Sequence, residues 1–504
     1  MKSHLKSKLY HIFSIISVAS VGILHGYDLI TIKLIFFFDA FRILFKLDTW
    51  DGSYRNDFGT LLSMINLDSD DNNENNSITS DTGRRFRNLK QTDNEDFIEG
   101  MITFGYIFGA IFGSYIVSQF TERKSRKLLI LISTAIFSIG SFIAACSFRT
   151  GNIPFTITLA RFIIGMSIGA LSVVCPIYIS ELAPTNYRGM YIFAYHLFVI
   201  IGFIISNIIR DEPINNYYWK LLFVVQGAIG LIYSLIIYKI PESPRWLWFK
   251  EENIKARNVF LKLHGRDRET SDIKSIEEYE IIKEDAIYNR AIGYSKYSEL
   301  WRPDMRRRLF TIWFLFFFQQ WTGYMIYKTL GNFVLDYDAV VNMRIYMPVL
   351  LTYPFIIIVT LSSMPLVDQF GRKSLLIFGT LLLLSINGTC NERVKDRSLY
   401  ISIIGQICCV IFMSVFLSTW EPIASIYQAE IFPIRIRGKG ASIGIMSKYI
   451  NQGLITFIGP RLLSSLGKYG FLPFAICSGI SFIFISRFCP ETTGITLEEI
   501  DVMI

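Results

Sequence analysis

Two stretches of this chain carry one charged phrase. SELAPTNYRG (180–189) places Glu181 seven residues before Arg188, and AEIFPIRIRG (429–438) places Glu430 seven residues before Arg437, 249 positions further on. Arg offers a planar fork that a carboxylate accepts bidentately, so such residues at helix ends can close ion pairs and release them. Two more phrases recur in the same order. TERKSRK (121–127) matches DQFGRKS (368–374), which sets Arg126 against Arg372. PESPR (241–245) matches PETTG (490–494), which sets Glu242 against Glu491. Three repeats at a nearly constant offset indicate a duplicated chain. Arg126, Glu181, Arg188 and Glu242 are expected to form one network, and Arg372, Glu430, Arg437 and Glu491 its mirror. Ordinary loop charge is the plainer account of the same residues.

A second chemistry sits in apolar surroundings. Gln319 and Gln320 are adjacent amides in a run of Phe and Trp. Amides donate and accept, which suits a neutral, hydroxyl-rich ligand, and buried polar groups at mid-membrane point to function. Helix–helix hydrogen bonding is the alternative. Asp28, Lys33, Lys328, Glu421 and Lys448 also fall in or near apolar runs. The sequence presents no nucleophile–base set and no cluster with metal-ligand spacing, so an enzyme, a cofactor and a metal are not expected. The five His are scattered, and the seven Cys, an odd count lying mostly inside apolar runs, argue against a disulfide framework.

These side chains need helices to position them. The 504 residues are 51% hydrophobic and 18% charged, with mean hydropathy +0.38. Apolar runs long enough for a bilayer core recur throughout. Twelve are read, at roughly 12–38, 99–119, 127–147, 153–179, 190–209, 219–240, 309–335, 344–366, 374–390, 400–427, 439–460 and 470–488. The first is preceded by Lys2, Lys6 and Lys8, as in a secretory signal, but it is too long and is read as a retained helix.

Short basic loops at 123–127, 371–373 and 435–439 fall on one side of this arrangement, which makes that side and both termini cytoplasmic. The net charge of +8 reflects this bias rather than nucleic-acid binding. The expected organisation is an N-terminus (1–11), a six-helix half (12–240) with an outer loop at 46–98, a cytoplasmic linker of short amphipathic helices (241–308), a second half (309–488) and a C-terminus (489–504). The outer loop holds a polar run and a glycosylation sequon at Asn75, and a second sequon falls at Asn387. Gly105, Gly109, Gly113, Gly165 and Gly169 recur at fourth positions, a spacing that lets helices pack closely. The fold class is therefore all-α, with twelve transmembrane helices in two parallel six-helix repeats, as in major facilitator transporters.

The residues also resemble the sugar porter family over almost the whole chain. Gly165, Gly169, Tyr178, Glu181 and Arg188 fall at the spacings of its pattern; PESPRWL (241–247), QQWTG (319–323) and PETTGITLEEI (490–500) resemble its later phrases. The resemblance implies alternating access, with the Arg–Glu networks as gates and Gln319 and Gln320 as the sugar-binding pair. It places four further residues at sugar-contacting positions: His196 where Gln is usual, Met325 where Asn is usual, and Tyr449 and Gln452 where Trp and Asn are common. Ser118 and Ser125 replace Gly in the loop motif, and Ser425 replaces Trp on the tenth helix. In proton-coupled members an Asp occupies the Asp28 position, facing an Arg on the fourth helix, here Arg161. A hexose is the expected solute, carried by a facilitator or a proton symporter in the surface membrane, with an organellar membrane as the alternative. A polyol, inositol or other small polar solute is the alternative, as is a sensor that binds without transport. The sequence sets no oligomeric state.

Overall fold

In a bilayer, backbone N–H and C=O groups must pair internally, and a helix does this within one segment. The structure, a computed structural model, describes residues 2–35, 93–147, 154–210, 218–264, 273–327, 346–393, 399–466 and 469–503. Every regular element among them is helical. The sequon at Asn75 and Lys328 lie outside the described residues.

Helices α1 (Lys2–Ala19) and α2 (Gly22–Ile35) make the first span, with a break between them. The helix begins at Lys2, ahead of the apolar run itself. The first half continues with α3 (Asp93–Phe120), α4 (Arg126–Ala145), α5 (Phe155–Leu182), α6 (Arg188–Arg210) and α7 (Tyr218–Lys239). Three short helices follow: α8 (Pro244–Phe249), α9 (Asn253–His264) and α10 (Ile273–Ile292). They bury Trp246, Trp248, Phe260 and Ile282 in a small cluster of their own. The second half is α11 (Pro303–Trp321), α12 (Tyr346–Gln369), α13 (Arg372–Arg393), α14 (Leu399–Ser418) with α15 (Trp420–Glu430), α16 (Arg437–Leu466) and α17 (Leu472–Phe488). A last helix, α18 (Leu497–Met503), lies beyond it. With each broken helix counted as one span, the described residues form twelve membrane helices, six on each side of the linker.

Close packing explains the glycine spacing. α3 lies against α5. A Cβ at Gly113 would overlap the Met166 carbonyl, and one at Gly169 the Ala110 carbonyl. The outer face of α3 exposes Phe104, Phe108 and Phe112, one turn apart, an apolar stripe suited to lipid. The halves meet through α3 on α16 and α6 on α12, with α15 also packed on α5 and α6. α14 stops at Thr419, whose φ of −126° and ψ of −71° are not helical. This break puts Glu421 in the first turn of α15, where the helix dipole favours a carboxylate.

Candidate functional site

A small cavity of about 30 Å³ lies where the halves meet. The first half supplies His25 from α2 and His196, Val199 and Phe203 from α6. The second half supplies Gln320, Glu421, Lys448 and Gln452, with Tyr324 and Met325 just beyond α11. Apolar walls with a few convergent polar groups are the usual make-up of a small-molecule site.

The structure separates the two adjacent glutamines. Gln320 lines the cavity. Gln319 turns instead to the neighbouring helix, where its Nε2 donates to Glu421 Oε2 at 2.9 Å and to the Trp420 carbonyl at 3.3 Å. Its Oε1 accepts from Gln320 Nε2 at 3.3 Å. His196 is 4% exposed, and neither ring nitrogen has a hydrogen-bond partner. Tyr449 is buried behind the wall, edge-on to Tyr106 with centroids 6.1 Å apart. Met325 and Gln452 line the cavity.

The sequence marks Glu421 and Lys448 as charges inside apolar runs, of the kind that pair across a cavity, without naming them as solute contacts; the structure puts both in the cavity lining. Lys448 Nζ donates to Glu421 Oε1 at 2.6 Å, and His196 Nδ1 lies 3.9 Å from the same oxygen. His25 carried no such signal.

On the linker side of the bilayer the repeated phrases converge. Arg126 pairs with Glu181 at 3.2 Å, and Arg372 with Glu430 at 3.3 Å. Glu242 accepts from the Ser125 hydroxyl and from Ser243 N at 2.9 Å. Its counterpart Glu491 accepts from Arg372 N and Lys373 N, each at 3.0 Å. Gly371 makes that contact with φ +92°, and a Cβ there would sit 2.5 Å from Glu491 Oε2. Ser125 solves the same turn differently. It caps α4 by accepting from Leu128 N at 3.1 Å, with φ −59°. Burial pushes the Glu242 carboxyl above its ordinary range, against the bonds from Ser125 and Ser243 and the charge of Arg126.

Arg188 does not join the network of its own half. Its Nε donates to Glu430 at 2.7 Å and its Nη2 to the Ile495 carbonyl at 2.8 Å. The start of α6 is held against the second half, since Asp368 accepts from Gly189 N at 3.2 Å and Met190 N at 2.8 Å. Arg437 has no matching use. It donates to the Phe432 carbonyl at 2.9 Å, and among the described residues it forms no ion pair with Glu181.

Asp28 is fully buried. Arg161 Nη1 lies 2.5 Å from its Oδ1, and Gln226 Nε2 donates to the same atom at 2.9 Å. The Arg161 guanidinium also lies over the Tyr106 ring, 4.6 Å from its centroid, which links this pair to Tyr449. The Lys33 side chain lies outside the described residues. Asn387 is buried in α13, where its Nδ2 donates to the Thr322 carbonyl at 3.1 Å.

Two six-helix halves around a polar cavity define a membrane transporter of the major facilitator type. The chain belongs to the sugar (and other) transporter family, whose model matches residues 14–504. Its members are transporters rather than enzymes. The chain is similar to the high-affinity glucose transporter ght5 of Schizosaccharomyces pombe, at 29% identity over 80% of this chain and 74% of that one. It is also similar to the major myo-inositol transporter IolT of Bacillus subtilis, at 26% identity over 80% and 85%. Among solved structures, the proton:xylose symporter XylE of E. coli, bound to 6-bromo-6-deoxy-D-glucose, superposes with a TM-score of 0.74 at 20% identity over 98% of this chain and 99% of that one.

Proposed function

We propose that the protein moves a hexose across the surface membrane by alternating access, with the linker side and both termini in the cytoplasm. The observation that carries this reading is the cavity shared between the halves. Gln320 and Gln452 face it from one half and His196 from the other, so a bound sugar touches both moving parts. Gln319 acts through Glu421, and Tyr449 supports the wall through Tyr106. Arg126, Glu181, Arg188, Glu242, Arg372, Glu430 and Glu491 hold the cytoplasmic ends closed while the cavity opens outward, and Arg437 braces the turn before α16 through the Phe432 carbonyl. The likeness to a yeast glucose transporter supports hexose, and the likeness to an inositol transporter favours a polyol as the second reading.

Asp28 is the proton site in this reading. Its Oδ2 has no hydrogen-bond partner, while Arg161 pairs with its Oδ1. The test is uptake of labelled D-glucose and myo-inositol by proteoliposomes at outside pH 5 to 8. Glucose flux that rises as outside pH falls supports hexose–proton symport. Glucose flux that is flat with pH and never concentrative leaves a facilitator. Inositol flux alone supports the polyol reading, and binding of either solute without flux marks a sensor.

A further inference from the structure

We infer that the cavity is built to accept a solute bearing a carboxylate, a sugar acid, in preference to the neutral sugar of the same size. This deepens the transport reading above and rests on it.

Glu421 and Lys448 both line the cavity and are 13% and 11% exposed at their side chains. An ion pair taken out of water is costly, and a neutral sugar does not require one. Each carboxylate oxygen of Glu421 is engaged by one protein donor, Oε1 by Lys448 and Oε2 by Gln319. Lys448 has three N–H donors and spends one, on Glu421. On the facing wall His196 has two ring nitrogens without hydrogen-bond partners. His25 adds a second imidazole on the same side.

The wall therefore sets one carboxylate, already engaged by Lys448 and Gln319, against an ammonium with two further N–H donors and the His196 imidazole. Asp28 does not alter this balance, because Arg161 and Gln226 engage it. A solute bringing a cation would meet the Lys448 charge and would compete with Lys448 and Gln319 for Glu421. A solute bringing a carboxylate would find charge-assisted donors between Lys448 and His196. Gln320 and Gln452 remain for its hydroxyls. A hexuronate or hexonate has this pairing of one carboxylate with several hydroxyls.

The test uses the full-length protein in proteoliposomes at pH 7. D-glucuronate and D-gluconate compete against labelled D-glucose, and labelled D-glucuronate is followed directly. At least one acid is expected to bind more tightly than glucose, by about tenfold. Lys448→Gln is expected to lower the ratio of acid affinity to glucose affinity about tenfold, and Lys448→Arg to preserve most of it. Glucose flux with no competition by either acid overturns this inference and leaves sugar transport standing. Equal loss of acid and glucose affinity in Lys448→Gln also overturns it, since the lysine would then only brace the cavity. Absence of binding by glucose, inositol and both acids overturns the inference and the transport reading together. If Lys448→Gln fails to reach the membrane, the wild-type ranking of acid against glucose decides alone.

Discussion

Arg188 of α6 crosses between the halves to donate to Glu430 of α15 at 2.7 Å, whereas Arg437, its counterpart in the repeat, donates to the Phe432 carbonyl within its own half. One duplicated phrase thus has two uses. Only the first copy ties the halves together through its arginine.

Arg188→Ala should therefore release the linker side more than Arg437→Ala. Breaking a buried pair typically costs about 3–5 kcal/mol. Spin labels on the linker-side ends of α4 and α13 should separate in Arg188→Ala and stay close in Arg437→Ala. Equal separation in both variants contradicts the asymmetry.

Gln319→Ala and Gln320→Ala should differ in kind. Gln320 faces the solute, and losing one hydrogen bond with its stranded partner should raise the half-saturation concentration about tenfold. Gln319 holds a carboxylate oxygen of Glu421, so its loss should impair transport of every solute tested. Uptake kinetics with glucose and inositol, normalised to surface protein, separate the two patterns.

Asp28→Asn removes the ionisable group while keeping a partner for Gln226. Concentrative uptake should disappear and exchange down the gradient should persist. Retained accumulation in the presence of an outward-to-inward proton gradient places coupling elsewhere.

Docking of α18 should depend on pH. Burial raises the Asp501 carboxyl from 3.8 to about 6, with Arg437 and Arg308 acting against it. Arg308 holds it at 3.0 Å. Because its proton is bound more tightly when docked, docking is strongest below about pH 4. It weakens as pH rises through 4 to 6 and is lowest above 6. Going from pH 7 to pH 5 should stabilise docking by about 1 kcal/mol. Hydrogen exchange over residues 497–503, corrected for intrinsic rate, should show this gain, and Asp501→Asn should abolish it.

Gly26→Ala should be poorly tolerated, because a Cβ there would overlap the Val199 carbonyl of α6. Forcing the helices apart should cost about 1–3 kcal/mol. Thermal unfolding in detergent and surface expression should both fall.

The architecture was legible because its signals are local. Run length against bilayer thickness gives the spans, charge between them gives the sides, and the constant offset between phrases gives the duplication. The ends of α4 and α13 follow directly from Arg126 and Arg372, which open those helices. The ion pairs Arg126–Glu181 and Arg372–Glu430 could be anticipated because each joins two phrases of one half.

The site needed the tertiary structure. Adjacent residues on a helix point about 100° apart, so only the rotation of α11 decides that Gln320 faces the cavity and Gln319 faces α15. The pairing of Glu421 with Lys448 depends on the break at Thr419 and on how α15 sits against α16. Arg188 reaches Glu430 because Asp368 holds the start of α6 against the opposite half. Sequence spacing records what one helix can present. Which helix receives it is set by packing between segments from 27 to 242 residues apart, and no local pattern carries that.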